Sequence, residues 1–385
     1  MLTVIIFLLV LSVLVFAHEF GHFMTARRFG VKAEEFGFGF PPRAIGWYKN
    51  SLGKWRTVFG NKSIESLDAS EDETLRPAKG KTVYSLNWLP LGGFVKIKGE
   101  NGDGENDNDS FASKKIWKRI IILAAGVVMN VILAWLLFSI AYLIGLPVST
   151  DSLGKGAITT DSKVVIAEVV PGSVAEKAGL KMNDYILAVD GQTVKNEKDL
   201  QDLIGVRGGQ EVNLLIKRNT NKDDNIKVVP VSNSGRATIG VAIFSAALVR
   251  YPFFNAFWEG AKLTIIVLGQ IFAAFYGLFK SIFAGHSVID QFAGPIGIAK
   301  ITGQAARLGI NYLLQFGALL SLNLAVINIL PIPALDGGRI FFLLIEKIRK
   351  KPIKKEIEGM IHNFFFLLLI ALMLFITYRE VVKLF

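Results

Sequence analysis

Phe16-Ala17-His18-Glu19-Phe20-Gly21-His22-Phe23 closes an almost unbroken apolar run that begins at Leu2. Residues four apart share one face of a helix, so His18 and His22 can point at the same metal ion. Glu19 is one step round from His18 and can hold a proton above that metal. Two imidazoles and an adjacent carboxylate at this spacing form the donor pattern of a zinc-dependent hydrolase, with Glu19 as general base. The setting sharpens the point. A run this apolar reads as a membrane span, where ionisable groups are expensive and mark function. Two histidines satisfied only by their helix neighbours would be costly there.

A signal peptide fits this run less well. No Lys or Arg precedes it, Val15-Phe16-Ala17 is a poor cleavage site, and the apolar character continues past the histidines to Met24. The run ends at Arg27-Arg28, which marks a cytoplasmic end. At 1.5 Å per residue the histidines lie about 7 to 14 Å inside Arg27, in the cytoplasmic half of the bilayer.

Composition agrees with a membrane setting. Of 385 residues, 51% are hydrophobic, and the mean hydropathy of +0.43 is too high for an ordinary soluble enzyme. A net charge of +11 then reflects basic cytoplasmic loops; no nucleic-acid signature accompanies it. Cysteine is absent, so a metal must take His, Asp, Glu or Asn ligands. Besides His18 and His22 there are only His286 and His362; neither has a second ligand nearby, and both read as interfacial or structural.

The chain divides by composition. Residues 1–28 form the first span. Residues 29–113 are polar and Gly-rich, and Phe36–Pro42 and Leu89–Ile97 suit a small sheet or hairpin lying against the membrane. Glu100–Asp109 reads as a solvated, mobile acidic loop. Lys114, Lys115, Lys118 and Arg119 introduce a second span within 114–145. Residues 146–250 change to a charged, strand-rich soluble domain, with strands at 164–169, 183–191, 212–217 and 238–243 and helices at 175–178 and 197–204. Residues 311–346 are an apolar segment broken at Asn328-Ile329-Leu330-Pro331-Ile332-Pro333-Ala334-Leu335-Asp336-Gly337-Gly338, and 361–380 is the last span. The segment 251–310 holds an apolar stretch, 263–283, long enough to span. Each span flips sides, so a crossing there would put Asp336 opposite His18. It is therefore expected to lie on the membrane surface or re-enter, giving about four transmembrane helices with both ends outside the cytoplasm.

A catalytic zinc takes three protein ligands. Asp336, ionisable and set in a broken apolar helix, is the candidate third; alone it would read as a helix N-cap. Asn323 and Asn328 can donate to an oxyanion or a substrate backbone, or can join helices. Asn130 invites the same pair of readings, with helix joining ahead. A helical substrate must be unwound before attack, and strand addition at the 89–98 hairpin, through Gly93, Val95 and Ile97, or at 323–335, would do that.

Together these residues resemble the bacterial site-2 proteases of the regulator-of-sigma-E type. The resemblance runs through His18-Glu19-Phe20-Gly21-His22, Pro90–Lys96, Gly294-Pro295-Ile296-Gly297-Ile298 and Asn328–Gly338. It also includes one PDZ domain carried by Val169–Leu180 and Asn183-Asp184. The best-known relatives have two such domains in tandem; here there is room for one. The resemblance implies Zn2+ held by His18, His22 and Asp336, with Glu19 as base and Asn323 and Asn328 handling substrate. It implies a multi-pass protein of the bacterial plasma (inner) membrane, with the PDZ domain extracytoplasmic and the active site in the bilayer near the cytoplasm. The expected substrates are single-span membrane proteins, anti-sigma factors or remnant signal peptides, and the PDZ domain would bind peptide C-termini or filter by size. Rival classes fit worse. A membrane metalloprotease with a downstream Glu ligand lacks the soluble catalytic domain, a non-catalytic PDZ scaffold has no use for the four intact residues, and a transporter would show an inverted repeat.

Overall fold

The computed structural model describes residues 2–60, 78, 82–102, 104, 106–149, 154, 156–159, 163–182, 184–218, 223–233, 236–286, 293–351 and 353–382; Asn183 lies outside them. It divides into two compact units, one of residues 1–137, 262–306 and 316–385, the other of residues 138–261 and 307–315.

Helix α1 (Leu2–Arg28) carries the histidines. Its 27 residues reach about 40 Å, more than the roughly 30 Å of a bilayer core. Arg27 and Arg28 complement its carbonyl end, and Gly30, at φ 68°, turns the chain out of it. The chain then forms β1 (Ala33–Lys49), β2 (Trp55–Phe59) and β3 (Val83–Ile97), ordered β2-β1-β3. The register shifts near residues 38–43 let the first part of β1 pair with both halves of β3: Phe36 stands opposite Val95 and also opposite Tyr84. Residues 93–97 therefore form the rim of the sheet. Glu35 and Arg43, on either side of the bend, make a buried ion pair.

Aromatic packing seats the sheet on α1. Phe36 stacks on Phe23 at 4.5 Å between centroids and meets Phe16 at 5.1 Å. The hairpin tip is fixed through Ser12, whose hydroxyl donates to Pro90 O at 2.8 Å and accepts from Gly92 N at 3.1 Å. Gly92 sits at φ 95°, and a Cβ there would stand 2.6 Å from Val15 Cβ. Ser12 is six residues before His18, about 9 Å further along the helix, so the hairpin reaches past the histidines. Trp88 is 71% exposed, with Leu86, Leu89 and Phe40 also uncovered; an apolar tip of this kind suits lipid. The expected small sheet is present, seated on α1.

The acidic loop departs from expectation in its described residues, which are tied down. Lys98 Nζ lies 2.9 Å from Asp107 and 2.7 Å from Asp109, and Glu100 pairs with Arg339. Backbone bonds join Lys32 to Asp109 and Phe111 to Lys98. The hydrogen bond from Lys98 holds the Asp109 carboxyl below its ordinary range. Composition suggested solvation; Lys98, just outside the acidic run, supplies the counter-charge.

Helix α2 (Ile116–Ile144) is the second apolar helix, 29 residues long. The soluble domain follows, with β4 (Leu146–Ser149), β5 (Ile158–Thr159), β6 (Lys163–Val169), α3 (Val174–Lys177), β7 (Tyr185–Val189), β8 (Gln192–Thr193), α4 (Glu197–Gly205), β9 (Val212–Lys217), β10 (Asp223–Val228), β11 (Val231–Asn233), β12 (Arg236–Thr238) and β13 (Val241–Arg250). Its main sheet runs β10-β9-β7-β6-β13-β4. Val164, Ile166, Ile186, Leu200, Leu214 and Ile216 fill the core. Ser173 and Asn196 cap α3 and α4 through their side chains. The last strand begins at 241 rather than 238, and β10 was not read from its polar sequence.

Helix α5 (Phe253–Phe283) is unbroken over 31 residues, so no re-entrant hairpin lies within it. Among the described residues, five helices are long and apolar enough to cross a membrane, α5 among them, one more than the four counted from sequence. That count set 263–283 aside on topology rather than on length. Two further helices, α6 (Pro295–Leu308) and α7 (Ile310–Ile329), precede the break, and α8 (Asp336–Arg349) and α9 (Lys355–Val382) follow it. The segment 311–346 is thus two helices. Glu380 of α9 accepts from Gly294, Ile296 and Gly297 N at 2.7, 3.2 and 3.1 Å, a carboxylate seated at the start of α6. Near the other end of α6, a Cβ on Gly303 would overlap Thr3 of α1.

Replacing Gly92 by Val should unseat the hairpin, because it adds a clash with Val15 to an unfavourable φ. Limited proteolysis of the purified protein checks this; cleavage between 86 and 94 is expected to accelerate relative to wild type.

Candidate metal centre

α1 and α2 approach closely where the histidines lie. A Cβ on Gly21 would stand 2.8 Å from the Ala125 carbonyl carbon and overlap its oxygen. On the facing helix, a Cβ on Gly126 would stand 2.7 Å from His18 Cε1 and 2.8 Å from His18 Nε2, and closer still to His22 Nε2. Gly126 is thus a cradle for the two ring nitrogens. His18 and His22 are 7% and 6% exposed.

Asp336 joins them from the other end of the chain. The backbone leaves α7, turns through 330–335 with Ala334 at φ 90°, and re-enters a helix at Asp336. Gly337 and Gly338 pack this first turn against the carbonyls of Ile329, Leu330 and Ile332, where any Cβ would collide. Leu335 occupies the N-cap position without a side-chain cap bond. Asp336 is the first helical residue, so its side chain is left for the site.

His18 Nε2 lies 3.0 Å from Asp336 Oδ2, His22 Nε2 lies 3.3 Å from it, and the two Nε2 atoms are 3.1 Å apart. Four ligands about 2.0–2.1 Å from a tetrahedral zinc stand about 3.3 Å from one another, which matches this triangle. His22 Nδ1 lies 2.8 Å from Ile122 O. A carbonyl only accepts, so Nδ1 carries the proton and Nε2 presents its lone pair. Asp336 Oδ2 is buried without a hydrogen-bond partner. Lone pairs converging in a buried space repel unless a cation sits among them. The donor set and the Gly126 cradle fit zinc. These three are the only grouped potential ligands of this kind among the described residues.

Glu19, adjacent to His18, accepts from Val95 N at 3.2 Å. The rim strand of the sheet therefore meets the carboxylate beside the metal triangle. Gly93 lies against α1, where a Cβ would stand 3.1 Å from Phe16 Cδ2 and 3.2 Å from Phe16 Cα. Asn328 Nδ2 comes within 3.5 Å of His18 Nδ1. Two expected substrate residues stand differently. Ile97 is 6% exposed and packs with Ala26, Val31, Phe111, Ile122 and Leu343, so its side chain belongs to the core. Asn323 donates to Leu319 O of its own helix at 2.9 Å and lies about 140° round α7 from Asn328. It does not join the triangle. His286 is exposed at the end of α5, and His362 lines a separate polar cavity with Glu100, Arg119 and Arg339.

Sequence reasoning missed Gly126, Gly21 and Ser12, the residues that bring α1, α2 and the hairpin to these distances. A small residue in an apolar helix signals close packing, without saying against what.

Three buried groups able to hold a metal ion, set among long apolar helices, mark a multi-pass membrane protein with a candidate metal centre. The chain belongs to peptidase family M50, matched over residues 6–59 and 73–372. A relative from Clostridium perfringens (strain 13 / Type A) is 35% identical over 383 residues, 98% of each chain. The regulator of sigma-W protease RasP of Bacillus subtilis (strain 168) is 31% identical, covering 100% of this chain and 99% of that one. The zinc metalloprotease RasP of Geobacillus kaustophilus (strain HTA426) is 29% identical, covering 100% and 98%. The PDZ domain of an SdrC-like protein from Listeria monocytogenes aligns with 22% of this chain and 90% of its own, at 22% identity and a TM-score of 0.20. The chain is a zinc metalloprotease, and Zn2+ is its cofactor.

Gly126→Ala should weaken zinc binding by roughly tenfold or more, since the added methyl occupies the ring nitrogens' space. Zinc content after dialysis against a graded chelator series is the check.

Proposed function

We propose that this protease cuts peptide bonds within the transmembrane segments of single-span membrane proteins, such as anti-sigma factors or remnant signal peptides, in regulated intramembrane proteolysis. The observation that carries this reading is the triangle of His18, His22 and Asp336, buried on apolar helices with the rim strand 93–97 beside it. The similarity to a relative named regulator of sigma-W protease supports the anti-sigma assignment.

His18, His22 and Asp336 would hold the zinc. Bound there, zinc supplies Lewis acidity that polarises a scissile carbonyl and lowers the pKa of a water molecule. Glu19 takes a proton from the attacking water and passes it to the leaving nitrogen. A substrate helix has its backbone satisfied internally, so cleavage needs an extended stretch. The rim of β3 at Gly93 offers backbone partners for that stretch, beside Val95, whose N–H ties the rim to Glu19, and Asn328 is placed to donate to the carbonyl or to the substrate backbone.

Two contacts support a topology with both chain ends outside the cytoplasm. Helix α6 meets Glu380 of α9 at its start and Thr3 of α1 at Gly303, so it sits level with the outer ends of both helices. In the proposed topology the soluble domain lies outside the cytoplasm, so α5 starts on that face, and α6 lies at the outer ends of α1 and α9. Helix α5 then makes no net crossing, α7 descends from the outer face, and Asn328 arrives beside His18. The soluble domain acts as an extracytoplasmic PDZ module that receives peptide C-termini or limits substrate size.

Three experiments test this. Glu19→Gln should lower cleavage of a single-span reporter by roughly 10²–10⁴-fold while retaining zinc; full activity would overturn the assignment. Asp336→Ala should lose zinc. Because the chain has no cysteine, Phe254→Cys and His286→Cys can be labelled singly from either side of sealed vesicles. Both should react from the outer face, and labels on opposite faces would sink the topology.

A further inference from the structure

We infer that Asn130 is a positioning residue for His18, holding its imidazole in the tautomer that presents Nε2 to the metal; the inference rests on His18, His22 and Asp336 being the ligands. A neutral imidazole that ligates through Nε2 carries its proton on Nδ1 and needs an acceptor there. His22 finds one in the Ile122 carbonyl, at 2.8 Å. Around His18 Nδ1 stand two amide groups, Asn130 with Nδ2 at 3.3 Å and Asn328 with Nδ2 at 3.5 Å. Two amide donors facing a protonated ring nitrogen satisfy nothing.

The resolution lies in Asn130. It is fully buried, at 0% exposure, and its Oδ1 has no hydrogen-bond partner. The two ends of a side-chain amide are isosteric, and the hydrogen-bond network decides which faces which way. Turning the Asn130 amide by half a rotation places Oδ1 against His18 Nδ1–H. One rotation supplies the acceptor that the ring lacks and the donor that the buried oxygen lacks. Asn328 is partly exposed and further away, so its amide remains available to substrate.

The backbone around Asn130 is built to hold this pose. Ser321 of α7 donates to the Asn130 carbonyl at 2.7 Å. Ile122, Gly126 and Asn130 follow one another at four-residue steps along α2, which puts them on one stripe. That stripe gives His22 an acceptor, gives both rings their space, and gives His18 its acceptor.

The test is equilibrium zinc binding to the detergent-solubilised full chain against a chelator series, with thermal unfolding measured with and without zinc. Asn130→Leu keeps the branched four-atom shape, with larger ends, and removes the acceptor. It should bind zinc roughly 10- to 100-fold more weakly, with an unchanged or raised zinc-free midpoint. Asn130→Asp is isosteric, can only accept, and should stay within a few-fold of wild type. The opposite amide orientation expects the reverse, because a carboxylate facing an unprotonated Nδ1 would repel the ring. The inference is overturned if Asn130→Leu binds zinc as wild type does, if Asn130→Asp is as weak as Asn130→Leu, or if both variants lower the zinc-free and zinc-bound midpoints equally. Asp336→Ala separates the two levels. Wild-type zinc affinity in that variant sinks the ligand set itself; loss of zinc there, with Asn130→Leu unaffected, sinks only the role of Asn130.

Discussion

The close crossing of α1 and α2 is the constraint on which the rest depends. Gly21 meets the Ala125 carbonyl and Gly126 meets the two imidazoles, so each helix gives up a side chain where the other comes closest. Lipid offers no hydrophobic drive to press helices together; small residues allow contact through packing alone. A methyl group at either glycine would separate the helices or displace a ring. The metal triangle, the Ile122 carbonyl and the Asn130 amide are all at working distance because this crossing is tight.

The hairpin is the second element that needs α1. A sheet edge in hydrocarbon is costly unless its backbone groups are satisfied or sheltered. Here the aromatic side chains of Phe16, Phe23 and Phe36 seat the sheet, Ser12 ties its tip, and Glu19 takes the Val95 N–H. The proposed base and the strand proposed to receive substrate therefore share one anchor. Geometry at Glu19 and position of the strand cannot be altered independently.

Much of this was legible in the sequence because it rests on periodicity and on cost. His18 and His22 share a face at helical spacing, and ionisable groups in an apolar run demand a reason. Two prolines and two glycines announced the break before Asp336. What stayed hidden depends on partners distant in sequence. Gly126 looks like any helix-packing glycine until the imidazoles appear opposite it. Strand alternation said that Ile97 alternates with Lys96, but not which face the core would claim. Asn323 and Asn328 share a segment, yet a five-residue step turns them to different sides of α7. The polar sequence of β10 hid a strand that only its partner β9 defines.

The proposed ligands also come from opposite ends of the chain, with more than 300 residues between His22 and Asp336. An ion shared by these groups is a cross-link as well as a catalyst. It closes a very long loop, and closing a loop removes conformational freedom that grows only slowly with length. Binding energy is therefore drawn into stability, and the broken segment before Asp336 is held against α1 most firmly when the metal is present. An ion held by His18, His22 and Asp336 would tie the start of α8 to α1. Chelation should thus loosen the protein as well as silence it.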